Sequence, residues 1–341
     1  MSASGNAQGW PALPPAEEIL ESALVVALPM RTRFRGITRR EALIFRGPAG
    51  WGEFAPFVEY DDEESAAWLA AGIEAAYLGP PPAQRDSVPV NATVPAVPAE
   101  QVAEIVARYP GARTAKVKVA EPGQSLSDDV DRVAAARAVI PRVRIDANGK
   151  WTVPQAISAI RAIGDVEYAE QPCATVDELA LVRRAVDVPI AADESIRKAA
   201  DPMRVVSADA AEIAVLKVAP LGGMRAVIRL AELIGLPVVV SSALDTAVGM
   251  AAGVAAAAGL HSLDLACGLG TGSLFTTDVA EPFVPEYGAL VPRWFGSTVD
   301  LAPEAPEALA APERTVWWHD RLRRCHDVLS RRGGAREFVK P

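Results

Sequence analysis

The chain has 341 residues, 50% of them hydrophobic and 23% charged, with a formal net charge of −9. That length suits a barrel plus a further domain, the composition excludes a disordered chain, and the acidic balance without a basic run excludes nucleic acid as the main partner. Three scattered cysteines, Cys173, Cys267 and Cys325, fit neither a disulfide framework nor a zinc site and point to a reducing, cytoplasmic setting.

No basic segment followed by an apolar core is found at the N-terminus, so no signal peptide is expected. Residues 1–22, rich in Ala, Pro and Ser, read as a poorly ordered start. From there LeuValValAlaLeu, GluAlaLeuIlePhe and TrpGlyGluPhe alternate as strands, with a turn at GlyProAlaGly before the last. Arg31, Arg33 and Arg35 fall on alternate positions between the first two strands. Alternate positions share a face, so this loop presents cations to an anionic ligand, or else is simply a solvated arginine loop. GluGluSerAlaAlaTrpLeu opens a helix to about Tyr77, and GlyProProProAla at 79–83 reads as a linker.

ProValAsnAlaThrValPro at 89–95 reads as a first barrel strand. A beat follows: Lys118, Asp146, Glu170, Asp193, Lys217 and Ser241 each close or follow a short apolar run, at intervals of 28, 24, 23, 24 and 24 residues. One strand, one helix and two loops need about that length. Such a beat implies parallel strands, and in a barrel their C-terminal ends converge on one mouth. The Ala/Gly-rich run from Ala243 to Leu260 holds Asp245 and Thr246 and reads as a buried barrel helix rather than a membrane span. The expected division is an α+β region over 1–88, a barrel over 89–285 and a tail over 286–341. In that tail TrpTrpHis at 317–319 and ArgLeuArgArg at 321–324 read as a strand or loop and then a helix, packing back on the first region.

Only six residues are lysine, Lys116, Lys118, Lys150, Lys198, Lys217 and Lys340, in a chain that otherwise uses arginine. A lysine pKa can be lowered, whereas guanidinium is effectively never deprotonated. Lys116 and Lys118 are two apart on one strand, so both point into the mouth, where mutual repulsion lowers at least one pKa towards general-base range. Asp146, Glu170 and Asp193 are three hard carboxylate donors from three successive strands, suited to Mg²⁺. Taken singly, each acid is equally well an exposed strand-end residue. Glu194 is a rival to Asp193, because a one-residue shift exchanges the two faces of a strand. Asn148 is placed to hydrogen-bond a carboxylate. Lys217 stands across the barrel from Lys118, so a metal-held carboxylate between them is set up for proton removal and return at its α-carbon.

LysValLys, ArgIleAspAlaAsnGly, TyrAlaGluGlnPro, AlaAspGluSer and AlaValLeuLysValAlaProLeuGlyGly resemble the strand-end motifs of the muconate-lactonizing branch of the enolase superfamily. More narrowly, PheArgGlyIleThr at 34–38, GlyTrpGlyGluPheAlaProPhe at 50–57, SerSerAlaLeuAsp at 241–245 and AlaCysGlyLeuGlyThr at 266–271 resemble its o-succinylbenzoate synthase family. The likeness spans about residues 24–285. It implies a modified (β/α)8, TIM-like barrel with an α+β capping domain built from the N-terminal region and the C-terminal tail. It also implies a Mg²⁺-dependent lyase of menaquinone biosynthesis, acting through an enediolate on 2-succinyl-6-hydroxy-2,4-cyclohexadiene-1-carboxylate.

On that resemblance Lys118 is the base and returns the proton, Lys217 faces the ring, and Asp146, Glu170 and Asp193 hold Mg²⁺. Lys116 and Asn148 support them. Arg35, Ser241, Ser242, Gly268 and Gly270 contact substrate, under cap loops at 29–37 and 51–57. The partner expected is a small-molecule carboxylate, with neither nucleic acid nor membrane; the oligomeric state is left open. Rival readings are an N-succinylamino acid racemase with the same lysine pair, another racemase or epimerase, or a ligand-binding barrel without turnover. SerLeuAspLeuAlaCysGly lacks the Asp-x-Asp of a dipeptide epimerase. His261, His319 and His326 do not fall at strand ends, where a histidine base would stand. All five of the lysine bases and acid ligands are present, which disfavours a barrel without turnover.

Overall fold

The apolar alternation near the N-terminus becomes an antiparallel sheet of β1 (Leu24–Phe34), β2 (Ile37–Gly47) and β3 (Gly50–Phe54), preceded by α1 (Ala16–Glu21). This computed structural model describes residues 13–198, 201–303 and 305–333. Most of the stretch expected as an arginine loop is strand: Phe34 pairs with Ile37, and only Arg35 and Gly36 turn, at φ 50° and 80°. Positive φ at both central residues is the type I′ geometry, whose twist matches the flanking strands.

Helix α2 (Asp62–Leu78) begins at Asp61, whose side chain accepts from the Glu64 N–H, and packs on β3. The helix and strand backbones touch. A Cβ at Gly52 would stand 2.1 Å from the Gly72 carbonyl oxygen, and one at Gly72 2.6 Å from that of Glu53.

The barrel follows. Short β4 (Val88–Pro89) pairs later with β12 (Ala289–Leu290). Then β5 (Ala92–Val94), β6 (Thr114–Lys118), β7 (Arg142–Asp146), β8 (Ala169–Glu170), β9 (Ile190–Ala192), β10 (Ile213–Leu216) and β11 (Val238–Val240) lie side by side, all parallel. Parallel bridges Val90–Cys267 and Ser241–Gly268 join the two edges, so residues 267–268 take the eighth strand position. Helices fill the connections: α3 (Val102–Ala107), α4 (Leu126–Arg137), α5 (Val153–Ile163), α6 (Val176–Arg183), the short α7 (Glu194–Arg197) and α8 (Arg204–Ser207), α9 (Met224–Ile234) and α10 (Ala247–Gly259). The Ala/Gly-rich run is α10, buried almost throughout. Among the described residues no helix is long and apolar enough to cross a membrane.

TrpTrpHis lies inside a single helix, α11 (Pro312–Arg331), not in a strand or loop before one. Pro312 sits in its first turn, where a missing N–H costs nothing. Trp318, Arg321, Leu322, Cys325, Val328 and Leu329 recur at three- and four-residue spacing and form its buried face. This face closes the cap: the Trp318 ring meets Phe54 edge-on at 5.7 Å, and buried Arg321 donates to the Phe57 and Tyr60 carbonyls at 2.9 and 2.6 Å. The architecture is a modified (β/α)8 barrel under an α+β cap made from both ends of the chain.

Because α2 and β3 leave no room for a methyl group, Gly52→Ala should destabilise the protein by about 1–3 kcal/mol. The measurement is thermal melting; an unchanged midpoint would mean that the contact relaxes freely.

Candidate active site

The two-residue period of β6 puts Lys116 and Lys118 on one face. Register then sets Asp146 beside Lys118, and Glu170 beside Asp146, across β6, β7 and β8. Asp193 follows β9, Lys217 follows β10 and Ser241 follows β11. Parallel strands bring all these ends to one rim. Lys116, Lys118, Asp146, Asn148 and Lys217 line one cavity there. Its far wall is Ser241, Ser242 and Gly268, and its roof is Phe34 and Arg35 from the β1–β2 hairpin. Gly270 packs instead on the Tyr109 ring and the Asn91 carbonyl.

Several non-glycine residues just past the strands are left-handed: Ala120 (φ 60°), Asn148 (48°), Gln171 (39°) and Leu244 (62°). Such backbone costs of order 1–3 kcal/mol each and collects at functional sites. With the hairpin tip in the mouth, the cavity holds about 30 Å³, and a cleft of about 830 Å³ lies outside it.

Each buried acid pairs with a lysine. Lys116 Nζ donates to both Glu170 oxygens at 2.9 and 3.0 Å and lies 3.5 Å from Asp146 Oδ2. Lys118 donates to Asp146, and to Asn148 Oδ1 at 2.8 Å. Lys217 Nζ donates to Asp193 Oδ2 at 2.6 Å. Burial opposes the charge on Lys116, but Glu170 and Asp146 outweigh it and hold its pKa above the usual lysine value. Lys118 goes the other way: burial, with repulsion from Lys116, outweighs Asp146 and lowers its pKa. Burial would raise Asp146, yet Lys118 and Lys116 keep it below the carboxylate range. Asp193, also buried, is held at about 2 by Lys217 and Arg197. Glu170 is pushed up to about 7, by burial and then by Asp146.

Two contributors escaped the sequence reading. Arg197 on α7 donates to Asp193 Oδ1 at 3.0 Å and to Glu194 Oε1 at 2.7 Å. Its spacing of four and three residues from these acids was the available signal. The Gln171 side-chain oxygen accepts from the Asp193 and Ser195 N–H groups at 3.0 and 3.1 Å. Glu194, the rival acid, is thus tied to Arg197 and to Asn148 Nδ2 at 3.3 Å.

Among the described residues no three acids, histidines or cysteines close on one point as a ready-made ligand set. The donor chemistry nevertheless fits a hard divalent cation. Asp146, Glu170 and Asp193 are all-oxygen donors, all buried, on consecutive strand ends. Burial is the first cause that lifts Glu170, and the negative charge of Asp146 and Asp193, which adds to it, is what such a cation relieves.

Residues 98–305 match the family model described as enolase C-terminal domain-like, and residues 25–76 the one described as enolase N-terminal domain-like. An o-succinylbenzoate synthase from Mycobacterium bovis (strain BCG / Pasteur 1173P2) is 62% identical over 324 residues, 94% of this chain and 98% of that protein. One from Mycobacterium ulcerans (strain Agy99) is 60% identical over 321 residues, 93% of this chain and 97% of that protein. In fold, the muconate lactonizing enzyme from Pseudomonas putida superposes with TM-score 0.68 at 24% identity, covering 82% of this chain and 95% of its own. The L-Ala-D/L-Glu epimerase from Bacillus subtilis gives TM-score 0.69 at 22% identity, covering 82% and 98%. The chain belongs to the enolase superfamily, within its o-succinylbenzoate synthase family.

Proposed function

We propose that this lyase removes water from 2-succinyl-6-hydroxy-2,4-cyclohexadiene-1-carboxylate, giving 2-succinylbenzoate, with Lys118 and Lys217 as its working pair. The observation that carries the roles is one cavity with both ammonium groups on its walls and Asp146 among its lining residues. Lys118 is the base, because it is the lysine whose pKa burial and Lys116 lower. It takes the proton from the carbon bearing the carboxylate, and the electron pair of the C–H bond moves into the carboxylate to form an enediolate. That pair then returns, the C–OH bond breaks, and Lys118 gives its proton to the departing hydroxyl. Water leaves and the ring becomes aromatic. Base and leaving group therefore share one face of the ring.

Lys217 faces the ring and offsets the developing negative charge by cation–π contact. Lys116 and Asn148 hold the acids and the base in place. Asp146, Glu170 and Asp193 would hold Mg²⁺, which supplies electrostatic stabilisation of the second charge on the substrate carboxylate. Ser241, Ser242 and Gly268 would receive the succinyl arm and Arg35 an anionic group, while Gly270, packed on Tyr109, stands behind that wall. The hairpin tip must lift to admit the substrate and then settle over it. The division that goes with this reading is a cap over 1–88 with the tail over 286–341, and a barrel over 89–285; 1–12 and 334–341 lie outside the described residues, and β12 in the tail pairs with β4. A place in menaquinone biosynthesis and a cytoplasmic setting belong to the same proposal.

The experiment is absorbance-monitored turnover of the cyclohexadiene with Mg²⁺ and then with EDTA, alongside racemisation of N-succinyl amino acids. Metal-dependent dehydration with slow racemisation is the expected result. Efficient racemisation with negligible dehydration would keep the lysines and overturn the substrate. Lys118→Ala should cost at least about 100–10,000-fold in turnover, the usual worth of a positioned base, while the fold and metal binding persist. Retained activity would assign the base elsewhere. Asp193→Asn should weaken Mg²⁺ binding and turnover together; titration calorimetry that finds binding unaffected would move that ligand to Glu194.

A further inference from the structure

Ser241 and Ser242 are fixed by the sheet, since their N–H groups donate to the Leu216 and Gly268 carbonyls at 2.8 and 3.0 Å. Past them the chain leaves the sheet, and the Ala243 and Leu244 carbonyls need other donors. One cap residue supplies them. Arg40 on β2, only 3% exposed, donates from Nε to the Leu244 carbonyl at 3.0 Å and from Nη2 to that of Ala243 at 3.4 Å. The same Nη2 reaches the Ala55 carbonyl in the loop after β3, and the guanidinium lies 4.4 Å from the Phe57 ring centroid. Glu53 grips the other side of the segment. Its Oε2 accepts from the Thr246 N–H at 3.0 Å, the Thr246 hydroxyl, and the Gly249 N–H at 3.2 Å. Asp245 closes the turn by accepting from the Ala243 N–H at 3.1 Å.

The segment held this way is a wall of the cavity, which Ser241, Ser242, Ala243 and Leu244 all line. Leu244 is left-handed, at φ 62°, a conformation that persists only when its surroundings impose it. The reacting groups are anchored elsewhere: Lys118 by Asp146 and Asn148, Lys217 by Asp193. Arg40 makes none of those bonds.

We propose that Arg40 is a positioning residue for the dehydration, fixing Ala243 and Leu244 in the wall that continues from Ser241 and Ser242, against which the substrate's succinyl arm lies. It thus sets substrate binding from the cap while leaving proton transfer untouched. Lysine cannot substitute fully, because one ammonium does not reproduce the planar fork that reaches three carbonyls in two domains. This inference rests on the dehydration reading above.

The test is steady-state kinetics of Arg40→Met and Arg40→Lys with the cyclohexadiene substrate and Mg²⁺, beside the unaltered enzyme. Loss of binding shared by ground and transition states raises KM and spares kcat. For Arg40→Met we expect KM to rise about tenfold or more with kcat within about threefold, and for Arg40→Lys a smaller rise in KM with the same kcat. Unchanged KM, or a fall in kcat as large as the rise in KM, would overturn the proposal. If far-UV circular dichroism shows that Arg40→Met does not fold, Arg40→Lys decides by the same split. Absence of turnover in the unaltered enzyme would instead strike down the dehydration reading, and this inference with it.

Discussion

Three carboxylates and three ammonium groups share the mouth of the barrel, each acid leaning on a lysine. Taking such charges out of water costs several kcal/mol per ion, and only close partners offset it. Any one of the six left alone there would destabilise the fold. The strands therefore have to present them together, and register does this: Lys118, Asp146 and Glu170 are lateral neighbours on β6, β7 and β8. The same closeness creates the chemical asymmetry. Lys116 lies against Glu170 and Asp146 and is held protonated. Lys118, two residues on, is more desolvated than it is compensated, and its pKa is lowered.

The barrel was legible because a strand, a helix and their loops occupy a nearly constant length, and because each chemical residue falls where a strand stops. Asp146 and Glu170 could be placed from that alone. The eighth strand position could not. It survives as two bridges at Cys267 and Gly268, too short for any periodic signal. TrpTrpHis misled because aromatic residues favour strands, whereas here tertiary packing of Trp318 on Phe54 sets the helix. Arg40 and Arg197 were hidden for another reason. In a chain that uses arginine almost everywhere, Arg40 carries no information until the fold buries it, and the spacing of Arg197 from Asp193 and Glu194 was a signal lost among many arginines.

Lysine placement shows how the whole molecule serves the mouth. Lys116, Lys118 and Lys217 line the inner cavity, and Lys150 and Lys198 stand on the outer cleft with Arg33, Arg35 and Arg197. Glu59, Glu121 and Glu194 stand among them, so the cleft is cationic on balance in a chain of net charge −9. A concave region of one sign focuses the field and raises the local concentration of an oppositely charged ligand. Such a field would draw an anionic ligand towards this cleft, behind which Lys116, Lys118 and Lys217 stand.

The cap is completed by α11, whose Trp318 and Arg321 lie against Phe54, Phe57 and Tyr60. During synthesis β1–β3 and α2 emerge well before α11. At ~5–20 residues per second the early half of the cap waits roughly 10–50 s for its other half. Until then the Phe54 ring and the Phe57 and Tyr60 carbonyls lack the partners that α11 supplies in the fold. Most barrel strands pair with a neighbour made shortly before, and only the closing bridge from Val90 to Cys267 and the β4–β12 pair wait comparably long. The half of the cap around Phe54, Phe57 and Tyr60 is therefore the part whose packing depends on the latest-made helix.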